Sequence, residues 1–137
     1  MKEATIILIP TAPGELIDKI TVLKIKRNYI SHPERVANIE RELSMLEEVR
    51  EKHFPDAEEL LGKIRELEDR LKEANETIWH MSEKIRELVD TKDFSQDFID
   101  VSLKIHLSND TRAAIKKEIN ILLGSSIIEE KSYKHWK

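Results

Sequence analysis

Ala57, Leu60, Ile64, Leu67, Leu71, Ala74, Ile78, Met81, Ile85 and Leu88 follow one another at alternating steps of three and four residues. An apolar side chain recurring on average every 3.5 positions draws a narrow stripe along a helix, and that stripe has to be covered by other helices. The interval holds one glycine, Gly62, and no proline. It predicts a long helix with a heptad seam of the coiled-coil kind. Asp56 with Glu59 three positions on predicts a capping box at its start, and Thr91-Lys92-Asp93 ends the pattern, for about 34 residues and roughly 50 Å.

Before this helix, Val36, Ile39, Leu43 and Leu46 keep the same rhythm between Pro33 and Phe54-Pro55. Proline suits a first helical turn and disfavours helix in the residue before it, so a second helix is bounded there. The short turn at 54–56 predicts that this helix and the long one form an antiparallel hairpin over residues 33–92. An earlier helix, Pro13 to Ile30, carries Leu16, Ile20, Leu23 and Ile30 on one side and Val22, Ile25 and Tyr29 on another, so it is expected to be buried on two sides. Its polar Glu15, Asp18, Lys19 and Lys26 then share a narrow solvent strip.

Beyond Asp93 the pattern is read as two C-terminal helices and a tail over residues 93–137. Ser95 caps the first of them, between Phe94 and Ile99 as a hydrophobic staple. Ser108-Asn109-Asp110 caps a fifth helix with Ile115, Ile119 and Leu122 inside and Gly124 as its left-handed stop. Ser125 to Lys137 is expected to be an extended strap. Ala4 to Ile9 reads as a short strand in need of an edge, from residues 127–131 or from a second chain. The whole is one domain, residues 1–137, of all-α class.

Charged residues make up 36% of the 137 positions, 23 basic and 27 acidic. Residues 33–92 hold 11 of the basic and 17 of the acidic ones, a net of 11 − 17 = −6, which argues against nucleic acid along the hairpin. The longest apolar run, Ile6 to Ile9, is far shorter than the roughly 20 residues of a membrane span. With no cysteine, disulfides and thiolate metal sites are excluded, and the reading is a cytoplasmic protein.

Glu48-Val49-Arg50-Glu51 and Glu66-Leu67-Glu68-Asp69 imitate the paired carboxylates that hold magnesium in helical pyrophosphohydrolases. The heptad register puts Glu48, Glu51, Glu66 and Asp69 on outer faces, where Glu59 with Lys63, Glu66 with Arg70 and Glu68 with Lys72 serve as i,i+4 pairs. The five histidines show no metal-binding spacing, and no nucleophile motif is present, so neither metal, cofactor nor catalytic residue is assigned. Trp79 lies at heptad position b, off the seam, and needs a cover: packing against another helix, or an interface with a partner. Arg112, Lys116 and Asn120 follow at i,i+4 behind Asn109 and Asp110, a stripe suited either to ion pairing or to a phosphate or carboxylate.

Gly14-Glu15-Leu16 with Asp18-Lys19 and Thr21-x-Leu23-x-Ile25-Lys26, then Trp79, then Asn109-Asp110-x-Arg112-Ala113-x-Ile115-Lys116-x-Glu118-Ile119-Asn120, then Gly124-Ser125 and Glu129-Glu130-Lys131-Ser132-Tyr133 resemble a family of uncharacterised bacterial and phage proteins, domain of unknown function 6165. The likeness spans nearly the whole chain, and its two end blocks are the specific part. It implies an association with sugar-transfer and surface-polysaccharide gene contexts and carries no assigned activity.

Two functions follow as expectations. One is a homo-oligomeric helical binding or scaffold module, with Trp79 as an interface candidate. The other is an enzyme or a protein for a small anion (phosphate, nucleotide or nucleotide-sugar). Its polar cleft, between the first and fifth helices, would be lined by Glu15, Asp18, Lys19, Asn109, Asp110, Arg112, Lys116 and Asn120.

Overall fold

The computed structural model describes residues 5–132, which form four helices: α1 (Pro13–Tyr29), α2 (Pro33–His53), α3 (Glu58–Asp90) and α4 (Gln96–Leu122). No strand occurs among the described residues. The predicted strand is therefore absent over residues 5–9, and Ala4 and residues 133–137 of the predicted strap lie outside the described residues. Ile6, Ile7, Leu8 and Ile9 are 62%, 79%, 91% and 72% exposed.

Helix α1 is the centre of a four-helix bundle, packing against each of the other three. It is buried on two sides, as expected, but the second side is carried by Ile17, outside the predicted stripe of Val22, Ile25 and Tyr29, and Tyr29 is 48% exposed. Leu16, Ile20 and Leu23 meet Ile39 and Leu43 of α2, with Ile30, Leu46 and Phe54 around them. On the other side Ile17 joins Leu67 and Leu71 of α3 and Ile115 and Ile119 of α4. Burial of each such side chain contributes roughly 1.5–3 kcal/mol.

The predicted hairpin of residues 33–92 is not formed. Among the described residues α2 and α3 do not pack backbone against backbone, and the most extensive pairing is between α3 and α4. Two physical reasons account for this. The apolar face of α2 is satisfied by α1, to which a short connection ties it. The seam of α3 is satisfied by a second seam that continues unbroken through α4: Phe98, Val101, Ile105, Ser108, Arg112, Ile115, Ile119 and Leu122 alternate by three and four, and each is buried or half-buried.

Ser108-Asn109-Asp110 accordingly lies inside one 27-residue helix, not at the start of a fifth. The polar seam residues Ser108 and Arg112 disguise the continuity. The Asp56 capping box is also absent, since Ala57 is the N-cap of α3 and no side chain caps it. Ser95 does precede α4, although its amide donates to Asp93 Oδ1 and its hydroxyl does not cap. Phe94 and Ile99 are 60% and 54% exposed, so they form no buried staple.

Gly124 ends α4 as expected. Its φ of +66° is left-handed, and Ser125 N–H to Asn120 carbonyl and Gly124 N–H to Ile121 carbonyl, 2.8 and 3.2 Å, close the turn. Helix α3 stops in the same way at a non-glycine residue, Lys92, with φ of 55°. The last turns of α3 and the first half of α4 extend past α1, whose final residues reach only Trp79 and His80. The result is a two-helix arm. No described helix is long and apolar enough to cross a membrane.

Candidate functional site

The polar residues singled out on α1 and α4 meet where the two helices run antiparallel. Gly14 makes the approach possible. A Cβ there would lie 2.5 Å from the Lys116 carbonyl oxygen and 2.8 Å from Asn120 Oδ1, so only hydrogen fits. The Gly14 amide donates to Asn120 Oδ1 at 2.7 Å in a buried contact. Ala12, the N-cap of α1, offers no side-chain acceptor, and Asn120 caps the helix from across the interface instead.

One turn along, Asp18 is 3% exposed and is the charge at the heart of the cluster. It does not share the solvent strip that the pattern of α1 suggests. Arg112 donates to it through Nε and Nη2, at 2.8 and 2.5 Å, in a two-pronged contact. Asn75 of α3 adds its amide to Asp18 Oδ1 at 3.0 Å and to Thr21 Oγ1 at 2.9 Å, and the Thr21 hydroxyl donates to the Asp18 carbonyl at 2.8 Å. Three helices are thereby tied at one carboxylate. The hydrogen bond to Asp18 holds the Arg112 guanidinium above the usual arginine value, against the effect of burial.

Lys116 follows, 2.6 Å from Glu15 and 3.3 Å from Glu129 of the C-terminal segment. Burial acts to lower this ammonium, but the hydrogen bond to Glu15 and the charges of Glu15 and Asp18 outweigh it and raise the group. A raised cation contributes stability that is fully present below the ordinary lysine value and lost only as pH rises through the raised one. The clasp is therefore intact throughout the neutral range.

The structure thus gathers Glu15, Asp18, Arg112, Lys116 and Asn120. Lys19 is turned away and pairs with Glu42 of α2 at 3.2 Å. Asn109 is exposed in the middle of α4, and Asp110 lies beside Glu129 and Lys131 at a separate surface cleft. No helix begins at these two residues, so no free helix-terminal amides point at the cluster. Asn75, Thr21 and Glu129 belong to it as well; Thr21 and Glu129 enter the sequence reading only through the family resemblance, and Asn75 does not enter it. Asn75 is the first uncharged off-seam residue of α3 after Gly62, beside the small seam residue Ala74, but this does not name its partner.

Asn75→Ala is expected to lower stability by about 1–3 kcal/mol, because Thr21 and Asp18 each lose a buried donor. Chemical denaturation followed by circular dichroism checks this, and an unchanged midpoint would contradict the three-helix tie.

The other candidates resolve simply. Trp79 stacks on Tyr29 of α1 with ring centres 5.9 Å apart and planes inclined by 20°, while the Tyr29 hydroxyl is 3.1 Å from His80 Nε2. An α1 residue is the cover that its off-seam position required. Glu48, Glu51, Glu66 and Asp69 are all exposed. Of the three expected i,i+4 pairs, Glu59 with Lys63 forms at 3.9 Å; Arg70 turns to Glu118, and Glu68 to Arg50 and Lys24. Among the described residues no three side chains are grouped to hold a metal ion.

One cavity adjoins the cluster. About 260 Å³ opens between α1, α3 and α4, bounded by Ile25, Asn75, Ile78, Trp79, Arg86 and Arg112.

A family model described as a family of unknown function (DUF6165) matches residues 8–136. No curated protein and no solved structure matches the chain.

Proposed function

The chain belongs to the family of unknown function DUF6165, and we propose that it works as a self-associating helical scaffold whose partner is a second copy of itself. The observation that carries this reading is the apolar surface left uncovered on the arm. Phe94, Ile99, Leu103 and Leu107 are 60%, 54%, 43% and 45% exposed, and the last three recur at i,i+4 along the outer face of α4, opposite its seam. Contiguous apolar surface of this kind marks an association site rather than a solvated face.

A second copy fits because a two-fold contact sets the same patch against itself. In an antiparallel contact centred on Leu103, Ile99 lies against the Leu107 of the other copy, and Asp100 faces its His106. The exposed run Ile6 to Ile9, with no backbone hydrogen bond among the described residues, offers a further edge for the same run of a second chain. The polar cluster supports the scaffold reading over an anion-binding cleft at that place. Arg112 is engaged by Asp18 and Lys116 by Glu15 and Glu129, and the group fastens helices together.

Leu103→Lys places two ammonium groups at the two-fold axis, where like charges cost several kcal/mol. The variant is expected to sediment with a lower mass than the parent while its helical circular dichroism is unchanged. A parental mass retained both by Leu103→Lys and by a chain lacking residues 1–9 would overturn the proposal.

A further inference from the structure

The cavity beside Trp79 borders the ion-paired cluster, with which it shares Asn75 and Arg112, and has the ingredients of a ligand site. Its walls are mostly apolar, from Val22 and Ile25 of α1, Ile78 of α3 and the Trp79 indole, while Arg86, Arg112, Asn75 and Ser82 bring polar groups to it. Small-molecule sites have this make-up, an apolar body with a few convergent polar groups.

Polar groups at this cavity are left over after the fold's own contacts are made. Arg86 forms no ion pair with any described residue, although Glu83 lies one turn before it and also lines the cavity; that carboxylate is 3.6 Å from His80 Nδ1. Arg112 is bound to Asp18 through Nε and Nη2, which leaves Nη1 without a hydrogen bond among the described residues.

We propose that this cavity binds a small organic anion, an oxyanion head on a compact apolar or aromatic body. Arg86 and the remaining nitrogen of Arg112 hold the head, since a guanidinium presents its donors in a planar fork that matches carboxylate and phosphate oxygens. The body lies against Ile25, Ile78 and the Trp79 ring. A volume of about 260 Å³ admits a substituted ring. Asp18 already neutralises Arg112, so Arg86 supplies the charge that discriminates, and an uncharged analogue binds more weakly.

The Trp136→Phe chain leaves Trp79 as the sole indole, and its Nε1–H gives one resonance in a proton–nitrogen correlation spectrum. Benzoate and phenyl phosphate are the probes, with benzyl alcohol as the uncharged counterpart and inorganic phosphate as the head without a body. Saturable movement of the indole resonance is expected with benzoate or phenyl phosphate below about 10 mM, and whichever of the two binds more tightly identifies the head. Arg86→Ala, at an exposed position, is expected to weaken that binding about tenfold with the helical signal unchanged. Benzyl alcohol and inorganic phosphate are each expected to bind more weakly than the aromatic anions. The proposal is overturned if neither aromatic anion moves the resonance, if Arg86→Ala binds them as the parent does, or if benzyl alcohol binds as tightly as they do.

Discussion

Replacing Arg112 by alanine is expected to lower stability by about 3–5 kcal/mol, one of the two largest effects that a single substitution in the polar cluster should produce. The magnitude comes from Asp18, not from the guanidinium. Asp18 is 3% exposed, and without Arg112 its charge keeps only the Asn75 amide as a side-chain donor. A buried ion pair is weak as a net source of stability, because desolvation offsets the attraction, yet breaking it from one side strands the other charge. The double substitution Asp18→Leu with Arg112→Met should therefore recover most of the loss. Urea denaturation of Asp18→Leu, Arg112→Met and the double variant forms a cycle that measures this, and additive losses would mean that the two side chains are not coupled.

Gly14→Ala is expected to be the second large effect, with a sign opposite to that of the same change elsewhere in the chain. In an open helix, glycine to alanine stabilises by roughly 0.5–1 kcal/mol, because alanine gives up less backbone freedom on folding. Gly62 of α3 is such a position, since a methyl group added there would meet nothing within 4 Å. At Gly14 the methyl meets the Lys116 backbone oxygen at 2.5 Å, and a backbone atom of a packed helix does not move aside cheaply. Overpacking costs about 1–3 kcal/mol, and loss of the buried bond to Asn120 adds about 1–3 kcal/mol, so a fall of roughly 2–5 kcal/mol is expected. Thermal unfolding of both variants is the check. A Gly14→Ala chain as stable as Gly62→Ala would show that α1 and α4 are not in such close contact.

Much of this architecture is legible in the sequence, and the misses share one cause. The seam of α3, the two apolar sides of α1, the breaks at Ser31-His32-Pro33 and Phe54-Pro55, and the stop at Gly124 are local patterns that tertiary packing reinforces. Pairing is not local. Helices α1 and α2 and helices α2 and α3 are joined by connections of similar length, so loop length alone does not tell which pair is packed. The answer lies in α4, where Ser108 and Arg112 occupy seam positions and Ser108-Asn109-Asp110 has the composition of a cap. A polar seam residue looks like a break until its partner is known, and the partners of Arg112 are Asp18 and, through it, Asn75.

The polar cluster is half legible for the same reason. Glu15, Asp18, Arg112 and Lys116 stand out in the sequence as a group that the folded chain brings together, and the pairing of these residues follows from α1 lying antiparallel to α4. Gly14 looks like a helix-end signal, whereas its role is the close approach that lets Asn120 cap α1. Asn75 can be found only once α3 is known to face Thr21, because nothing in its own neighbourhood names a residue 54 positions away.

Self-association is the central functional claim, and light scattering of the unaltered chain, diluted stepwise from tens of micromolar, tests it most directly. The expected result is twice the chain mass, or a higher even multiple, at the upper concentrations, falling toward the single-chain mass on dilution. A single-chain mass at every concentration, with full helical signal, would contradict the scaffold reading and leave the outer face of α4 as ordinary solvent-facing surface.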